Sequence, residues 1–598
     1  MSYPSIYISK KSLTNQINVD PYISHDLNGI HIAYDKELSR QILLVQNDTH
    51  FLFGHINQLK RTEIKESLQL NPKKVLNEIN TNYSNFIQNL HWGFIYIMDL
   101  KTLKQTIIND PFGIYPIYKG NKTEDFILSN DFFGLCTLLK NIHFDLKGIT
   151  DYFLFNYTLQ SRTLIKEIDQ LRGGSKLTFS ENELLIKKAF DVGTILNKSR
   201  EQEEIPMHEL FRNNLLGNLN ENLPIELALT GGFDNKVSLS VLLESKKKFK
   251  AFTFGNKNNP DQIAAHEVAQ LFNIPHEQLP INDEFLHNLD TYVSTFIRNA
   301  GNAPVIDSLI YYQMVNQKIQ KSNMVLGHMG GELIVGPVLI SELVITKNCA
   351  LILNSTNKNE LSASLEKSLK EINLLNFSNL KPEFENYVSN LTEYSNLDNT
   401  NKNKALLQFL IQETYSKFFG TVFTNLFGRY NVINPYLDLN FLQKLYASPF
   451  SFLKKKSFKK SPVGHFFSRR LYPILIKNIY PKVLKSKMDR GYILSDFLKW
   501  YKFYKPVLNY SKRHLFKKKK AVSLTHDLNH LMIRQFSPKW EHSKLRKQGF
   551  INEKEIDQIL KKHQETKDIT KTEEKNLLKL IALNYLLESS DINIVGAK

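Results

Sequence analysis

Cysteine is almost missing from this chain: Cys136 and Cys349 are the only two in 598 residues. That excludes a disulfide framework, and neither belongs to a cysteine–histidine cluster with the spacing of a structural zinc site. Long apolar runs are missing as well. No stretch of about 18 apolar residues suggests a membrane span, and the opening residues lack the continuous apolar core of a signal peptide, so a cytoplasmic address is expected. There is no evident internal repeat, and no named nucleic-acid-binding module accompanies the net charge of +18. The basic runs at 453–460 and 516–520 are short, and the lysine excess is spread along a chain generally rich in Lys, Asn, Ile and Phe. No dedicated nucleic-acid partner is expected, although a basic surface would steer an acidic substrate inward.

What the chain does have begins at residues 224–249, PIELALTGGFDNKVSLSVLLESKKKF. Ile225, Leu227 and Leu229 recur at strand period, and Val237, Val241 and Leu242 then recur at helical spacing, so the segment predicts strand, glycine turn and amphipathic helix. Glycines at 231 and 232 let backbone N–H groups approach an anion, and the helix start adds further N–H groups and a positive dipole end. A second strand, KAFTFG at 250–255, ends in Phe254 and Gly255 and precedes a helix with Ala264, Val268, Leu271 and Phe272 on one face. A third strand runs into GHMGGELIVG at 327–336. Right-handed parallel crossovers put ligands at the carboxyl ends of strands, so the three loops should meet at one crevice.

Taken together these residues resemble the asparagine synthetase superfamily. LTGGFDN is similar to the pyrophosphate loop of that family, and GHMGGELIVG to its second glycine-acidic loop. VINPYLDLNFLQKLYASP at 432–449 resembles the proline-aromatic-leucine-aspartate segment, KMDRGY at 487–492 the basic-glycine-aromatic segment, and residues 549–564 the closing helices. NDPFGIYPIYKG at 109–120 and FILSND at 126–131 look like parts of its glutaminase domain. The resemblance covers nearly the whole chain. It implies an α/β and α+β multidomain fold: a degenerate, Ntn-hydrolase-like glutaminase β-sandwich with helices at 1–195, a linker at 196–206, and a parallel-sheet α/β ATP-pyrophosphatase domain at 207–598 (adenine nucleotide α-hydrolase-like) with a helical carboxyl-terminal part and a helical insertion at 340–404.

The resemblance also implies ATP and Mg2+. Thr230, Gly231, Gly232, Asp234, Asn235, Phe254, Gly255 and Gly327 would bind ATP and its pyrophosphate. Asp234 and Glu332 would hold the metal, since a hard cation bridging polyphosphate takes one or two carboxylates plus waters. Two departures weaken the site. Gly331 stands where the family has a metal-binding aspartate, and Asp489 where it has a transition-state lysine, leaving Lys487 or Arg490 to meet the charge on phosphate or simply to lie in solvent. His328 replaces an acidic residue. As an imidazole it is either a base for the attacking amine, a role beside Glu332 in catalysis, or a loop histidine that hydrogen-bonds.

A further departure lies at the amino terminus. Glutamine-hydrolysing members expose a cysteine there, whereas this chain begins Met1, Ser2, Tyr3; without a thiolate there is no ready route to a glutamyl intermediate, the alternative being a Ser2 exposed by removal of Met1 with the α-amine as its base. Members lacking that cysteine include lasso-peptide cyclases and β-lactam synthetases, so the expected activity is adenylation of a peptide or small-molecule carboxylate followed by amide formation. A precursor peptide or a peptidase would be the partner. Amidation of aspartate with ammonia, and a pseudoenzyme that binds nucleotide without turnover, remain the alternatives.

Overall fold

The computed structural model describes residues 5–10, 21–70, 77, 79, 90–121, 126–180, 183–188, 190–196, 205–255, 259–306, 310–336, 344–384, 387–394, 402–454, 469–488, 491–502, 504–505, 508, 524–566, 568–589 and 594–595. Thirteen strands come before residue 190: β1 (Ile6–Ser9), β2 (Tyr22–Leu27), β3 (Ile30–Asp35), β4 (Ile42–Gln46), β5 (His50–Ile56), β6 (Gly93–Asp99), β7 (Gln105–Asn109), β8 (Tyr118–Asn121), β9 (Phe126–Ser129), β10 (Ile142–His143), β11 (Ile168–Gln170), β12 (Ser175–Ser180) and β13 (Glu183–Lys188). Twelve of them form two six-stranded antiparallel sheets, in the orders β11-β8-β9-β1-β3-β2 and β13-β12-β7-β6-β5-β4. Their inner faces meet, with the Tyr34 ring of one sheet 5.4 Å from the Phe53 ring of the other. Strands β1, β5, β6 and β7 are buried at nearly every position, as strands covered on both faces are, whereas the edge strand β2 alternates between half-buried and exposed residues.

A turn built on Asp110 ties the sandwich together. The carboxylate accepts N–H bonds from Gly93, Phe112, Ile114 and Tyr115 at 3.0–3.2 Å. Burial nevertheless pushes its pKa up to about 7. This is the NDPFG stretch that the sequence singles out, and its aspartate acts as an internal splint for the backbone.

Beyond the sandwich lies a five-stranded parallel sheet of β14 (Ile225–Ala228), β15 (Lys250–Phe254), β16 (His276–Leu279), β17 (Asn323–Val325) and β18 (Asn431–Ile433), ordered β16-β15-β14-β17-β18. The order reverses between β14 and β17. In an open α/β sheet that switch point is where a crevice opens at the carboxyl ends of the strands. The architecture is therefore the mixed α/β one that the sequence predicts. Residues 340–404 contain the helices Lys347–Asn354, Lys358–Lys370 and Phe377–Phe384, and the closing part is helical over Leu524–Trp540, Glu553–Thr566 and Lys571–Glu588. β19 (Ile594–Val595) pairs in parallel with β10 in a separate two-stranded sheet, returning the chain to its amino-terminal third. Most of the expected linker, 197–204, lies outside the described residues, as do most of the two basic runs.

Two local expectations need correction. The helix after the glycine loop, Asp234–Glu244, is buried on all sides from Asn235 to Leu242, not on one stripe, because a second helix, Leu471–Ile479, packs on its outer face. In the helix Pro260–Leu271, Ala264 and Val268 are buried and Phe272 just beyond it is half-buried, but Leu271 is 57% exposed, since the inward stripe also takes in Ala265 and Ala269 and leaves Leu271 at its outer side.

The sandwich and the parallel sheet are joined by polar contacts with long sequence separation. The Trp92 indole donates to the Val432 carbonyl at 3.0 Å, and Arg298 grips the buried Asp131 carboxylate with both terminal nitrogens. Ser5 and Tyr7 hydroxyls donate to the same carboxylate at 3.0 Å.

Candidate active site

The glycine loop leaves β14 and is held by its own polar side chains. Asn235 donates to the Ala228 carbonyl at 3.1 Å and accepts from the Thr230 hydroxyl at 3.2 Å. The Thr230 oxygen accepts the Gly232 N–H at 3.1 Å, and the Asp261 carboxylate accepts the Gly231 N–H at 3.0 Å. Asp261 comes from the first turn of the helix after β15, so a carboxylate already stands at the anion-facing backbone. Beneath the loop is a cation that sequence reasoning passed over. Lys236 is fully buried, and its ammonium donates to the carbonyls of Gly232 at 3.1 Å and Thr230 at 3.3 Å.

Asp234 opens the helix behind the loop, and Glu332 lies in the first turn of Gly331–Val335 after β17. Burial pushes the Asp234 carboxyl up to about 6, although the Tyr472 hydroxyl and the Gly330 and Gly331 N–H groups bond to it and Arg469 acts on it. Glu332 is pushed up to about 7, first by burial and then by the negative charge of Asp234. Two desolvated carboxylates, one of which raises the other in this way, are short of positive charge. At 331 a Cβ would lie 3.3 Å from Asp234 Oδ2, so a side chain there would face this pair directly.

Close packing explains the glycines at 327 and 330. A Cβ at 327 would come within 2.7 Å of the Asn235 Cα, and one at 330 within 2.6 Å of the Tyr436 ring. Tyr436 also donates its hydroxyl to the Asp234 carbonyl at 2.8 Å, Tyr415 to the Met329 carbonyl, and Tyr446 to the Leu333 carbonyl at 3.2 Å. Tyrosines from three later segments thus brace the second glycine turn against the first.

The 487–492 segment arrives through an aromatic contact. Phe233 of the glycine loop meets the rings of Tyr472, Tyr492 and Phe497 at 5.3, 6.3 and 5.0 Å, with the Arg469 guanidinium 5.6 Å from its centroid. Lys487 pairs with Glu267 at 3.4 Å and is 69% exposed. Arg490 and Asp489 lie outside the described residues, as does the His328 side chain; the His328 backbone sits in the turn Gly327–Met329. Phe254 packs against Tyr311 and Tyr312, and Gly255, at φ +124°, donates its N–H to the Leu279 carbonyl at 3.0 Å.

The site therefore gathers Thr230, Gly231, Gly232, Asp234, Asn235, Gly327 and Glu332 around one point, and it adds Lys236, Asp261, Arg469 and Tyr472. Lys236 stood in plain view one position past the loop motif. Arg469 and Tyr472 carry no sequence signal, because only packing of their helix against Asp234–Glu244 brings them in. Among the described residues, no group of three or more His, Cys, Asp or Glu side chains could hold a metal. A divalent cation here would rely on the two carboxylates, and their crowding fits one, given oxygens from phosphate and water.

In the sandwich, residues 1–4 lie outside the described residues. Neither cysteine suits nucleophilic attack. Both are buried, and burial raises the Cys136 thiol well above its ordinary value and pushes Cys349 up to about 11. No described helix is long and apolar enough to cross a membrane.

No family model matches the chain. Over 148 residues it is 20% identical to asparagine synthetase [glutamine-hydrolyzing] 1 of Bacillus subtilis (strain 168), which is 24% of this chain and 23% of that protein. The chain thus matches under a quarter of that relative's length. Among solved structures it is similar to a glutamine phosphoribosylpyrophosphate amidotransferase from B. subtilis complexed with ADP and GMP, at 12% identity, covering 54% of this chain and 68% of that one, with a TM-score of 0.19. An allosteric regulatory enzyme of purine biosynthesis matches at 11% identity over 46% and 59% of the two chains, also at 0.19. Scores that low carry no argument about mechanism.

Proposed function

We propose that this chain is an ATP-dependent, AMP-forming carbon–nitrogen ligase that adenylates a substrate carboxylate, releases pyrophosphate and passes the acyl group to an amine without hydrolysing glutamine. The observation that carries this reading is the meeting of the two glycine turns at Asp234 and Glu332, on the switch point of a parallel sheet. The limited likeness to an asparagine synthetase points the same way.

A free carboxylate resists amines because its leaving group is poor, and adenylation supplies a good one. The chain's task is then to meet the negative charge that builds on pyrophosphate and to keep water from the activated acyl group. Thr230 and Asn235 fix the loop, and Lys236 holds the Thr230 and Gly232 carbonyls inward. On binding, the Gly231 N–H exchanges Asp261 for a phosphate oxygen. Mg2+ held by Asp234 and Glu332 would neutralise the phosphates against those carboxylates. Arg469, which acts on Asp234, is a cation beside the carboxylate pair for the leaving group; Lys487 would have to leave Glu267 to join it, Arg490 is a further candidate from the sequence, and His328 is the candidate proton acceptor for the attacking amine. The amino-terminal sandwich serves as a support, pinned through Asp131 and Trp92.

The substrate class that suits a ligase without glutaminase chemistry is a peptide or small molecule whose own amine attacks, as in peptide or natural-product maturation. The match to an asparagine synthetase favours a second reading, aspartate with free ammonia as amine. Pyrophosphate release from ATP and Mg2+ tests both, screened against candidate peptides and against aspartate with ammonium, with Asp234→Ala as control. Substrate-dependent release lost in that variant is the expected result. ATP binding without release across the screen would instead make the protein a nucleotide-binding pseudoenzyme.

A further inference from the structure

At the outer edge of the parallel sheet two histidines meet. His266 comes from the helix Pro260–Leu271, and His276 is the first residue of β16, the edge strand beside β15. Their Nδ1 atoms are 3.4 Å apart and their ring centroids 5.7 Å apart. His266 is exposed and His276 half-buried, so solvent reaches the pair.

The hydrogen bonds around the pair dictate which ring nitrogens carry protons. Thr253 of β15 is buried, and its one hydroxyl hydrogen goes to the Leu229 carbonyl at 2.6 Å. His276 Nε2 lies 2.8 Å from the same hydroxyl oxygen, so Nε2 is the donor there. That leaves His276 Nδ1 with a bare lone pair facing His266. One proton on His266 Nδ1 can sit between the rings, but the 3.4 Å gap is wider than the roughly 2.7–3.2 Å of a good hydrogen bond. The gap matches a different geometry. Two nitrogens bonded at about 2.0–2.1 Å to one tetrahedral ion stand roughly 3.4 Å apart.

We propose that His266 and His276 form a binding site for a divalent transition-metal ion of the zinc class, held by the two Nδ1 atoms and completed by water. Imidazole suits zinc, copper and nickel, whereas Mg2+ prefers oxygen, so this site is chemically distinct from the pair Asp234 and Glu332. The outer ring nitrogens have the partners that metal-bound histidines need to fix their orientation. For His276 the partner is Thr253. For His266 it is Gln270, one helical turn on, whose side-chain amide lies 3.0 Å from Nε2. When the ion takes its place at Nδ1, the His266 proton moves to Nε2, and the Gln270 amide turns over to accept it on its oxygen. No proton is lost in the exchange. The bound ion ties the helix Pro260–Leu271, which also carries Asp261, to β16, and it stabilises the folded chain because the unfolded one does not hold the two rings together. The inference is independent of the ligase reading, since neither histidine belongs to the glycine-loop site.

The test uses the full chain, stripped of metal by a chelator and then titrated calorimetrically with Zn2+ in excess Mg2+, which occupies oxygen-rich sites. His266→Ala and His276→Ala are titrated alongside, each with its melting temperature measured without zinc as a check on its fold. His266 is exposed, so its variant keeps the test decisive should His276→Ala fail to fold. The expected result is zinc binding by the wild type that raises the melting temperature, weakened by about tenfold or more in either variant, at least the loss that a disturbed histidine partner causes, with the thermal shift gone. Zinc affinity unchanged in His266→Ala would overturn the assignment. So would a wild type that binds no zinc, or one whose melting temperature zinc lowers.

Discussion

The Lys236 ammonium lies beneath the glycine loop, 3.1 Å from the Gly232 carbonyl oxygen, and turns a flexible Thr-Gly-Gly turn into a held cradle. Replacing it with methionine leaves two buried carbonyls without a donor, at a cost of about 1–3 kcal/mol in stability. It also removes a positive charge from behind the phosphates. On the ligase reading, kcat for pyrophosphate release falls about 100-fold in Lys236→Met, as loss of one well-placed electrostatic group does. Stopped-time pyrophosphate assays together with a melting curve separate the two effects.

Asp261 accepts the Gly231 N–H at 3.0 Å, and on the ligase reading it competes there with an ATP phosphate. Asp261→Asn keeps an oxygen acceptor but removes a negative charge from the phosphate path. ATP affinity should rise by a few-fold, read by calorimetric titration, and a weaker affinity would show that Asp261 helps rather than hinders.

Gly331 lies 3.3 Å, by its would-be Cβ, from Asp234 Oδ2. Gly331→Asp places a third carboxylate beside Asp234 and Glu332, and a magnesium titration of pyrophosphate release should shift its midpoint down by about tenfold. Without added cation the same variant is less stable than wild type, because three carboxylates repel.

The pair Arg298–Asp131 holds the sandwich against the helix Leu289–Ala300. Asp131 is 2% exposed. Burial by itself would raise its carboxyl, but Arg298 more than offsets that and leaves it below its ordinary value. Arg298→Met strands the carboxylate and costs about 3 kcal/mol at neutral pH, measured by denaturant unfolding. Because the folded pKa is depressed, the contribution is full above the unfolded value and disappears only as pH falls through the folded one.

His55 sits between Tyr115 and Gln41, with ring nitrogens 3.0 and 2.9 Å from their oxygens. Burial, then the charge of Arg61, pushes its pKa down to about 3. The folded state therefore favours the neutral ring. Its contribution is complete above the unfolded value of about 6.5 and is lost by about 1.4 kcal/mol per pH unit as pH falls from there toward 3. His55→Gln does not titrate, so the stability gap between wild type and variant should narrow across that window in a pH series of unfolding curves.

The legible parts of this fold were those with local causes. Strands β14, β15 and β17 alternate or run apolar between glycine turns, and the glycines at 231, 232, 327 and 330 mark where backbones approach. The helix Asp234–Glu244 is legible as a helix but not in its burial, because Lys236, Ser238 and Ser240 look suited to solvent until distant segments pack around the helix, Leu471–Ile479 among them and the second glycine turn beside Ser238. Arg469 and Tyr472 escaped for the same reason. Lys487 was chosen for its place in a motif, and the structure pairs it with Glu267 on a surface helix.

By itself the sequence determined the chemistry on offer: a glycine loop with one aspartate, and a second loop with one glutamate and no third carboxylate. Those are properties of residue type and spacing, fixed by the reach of a few bonds. Only the tertiary structure decided that Asp234 and Glu332 share one desolvated pocket, and that Asp261 stands before the loop and Lys236 behind it. Each depends on which distant segments pack together, and desolvation and charge coupling exist only once they have.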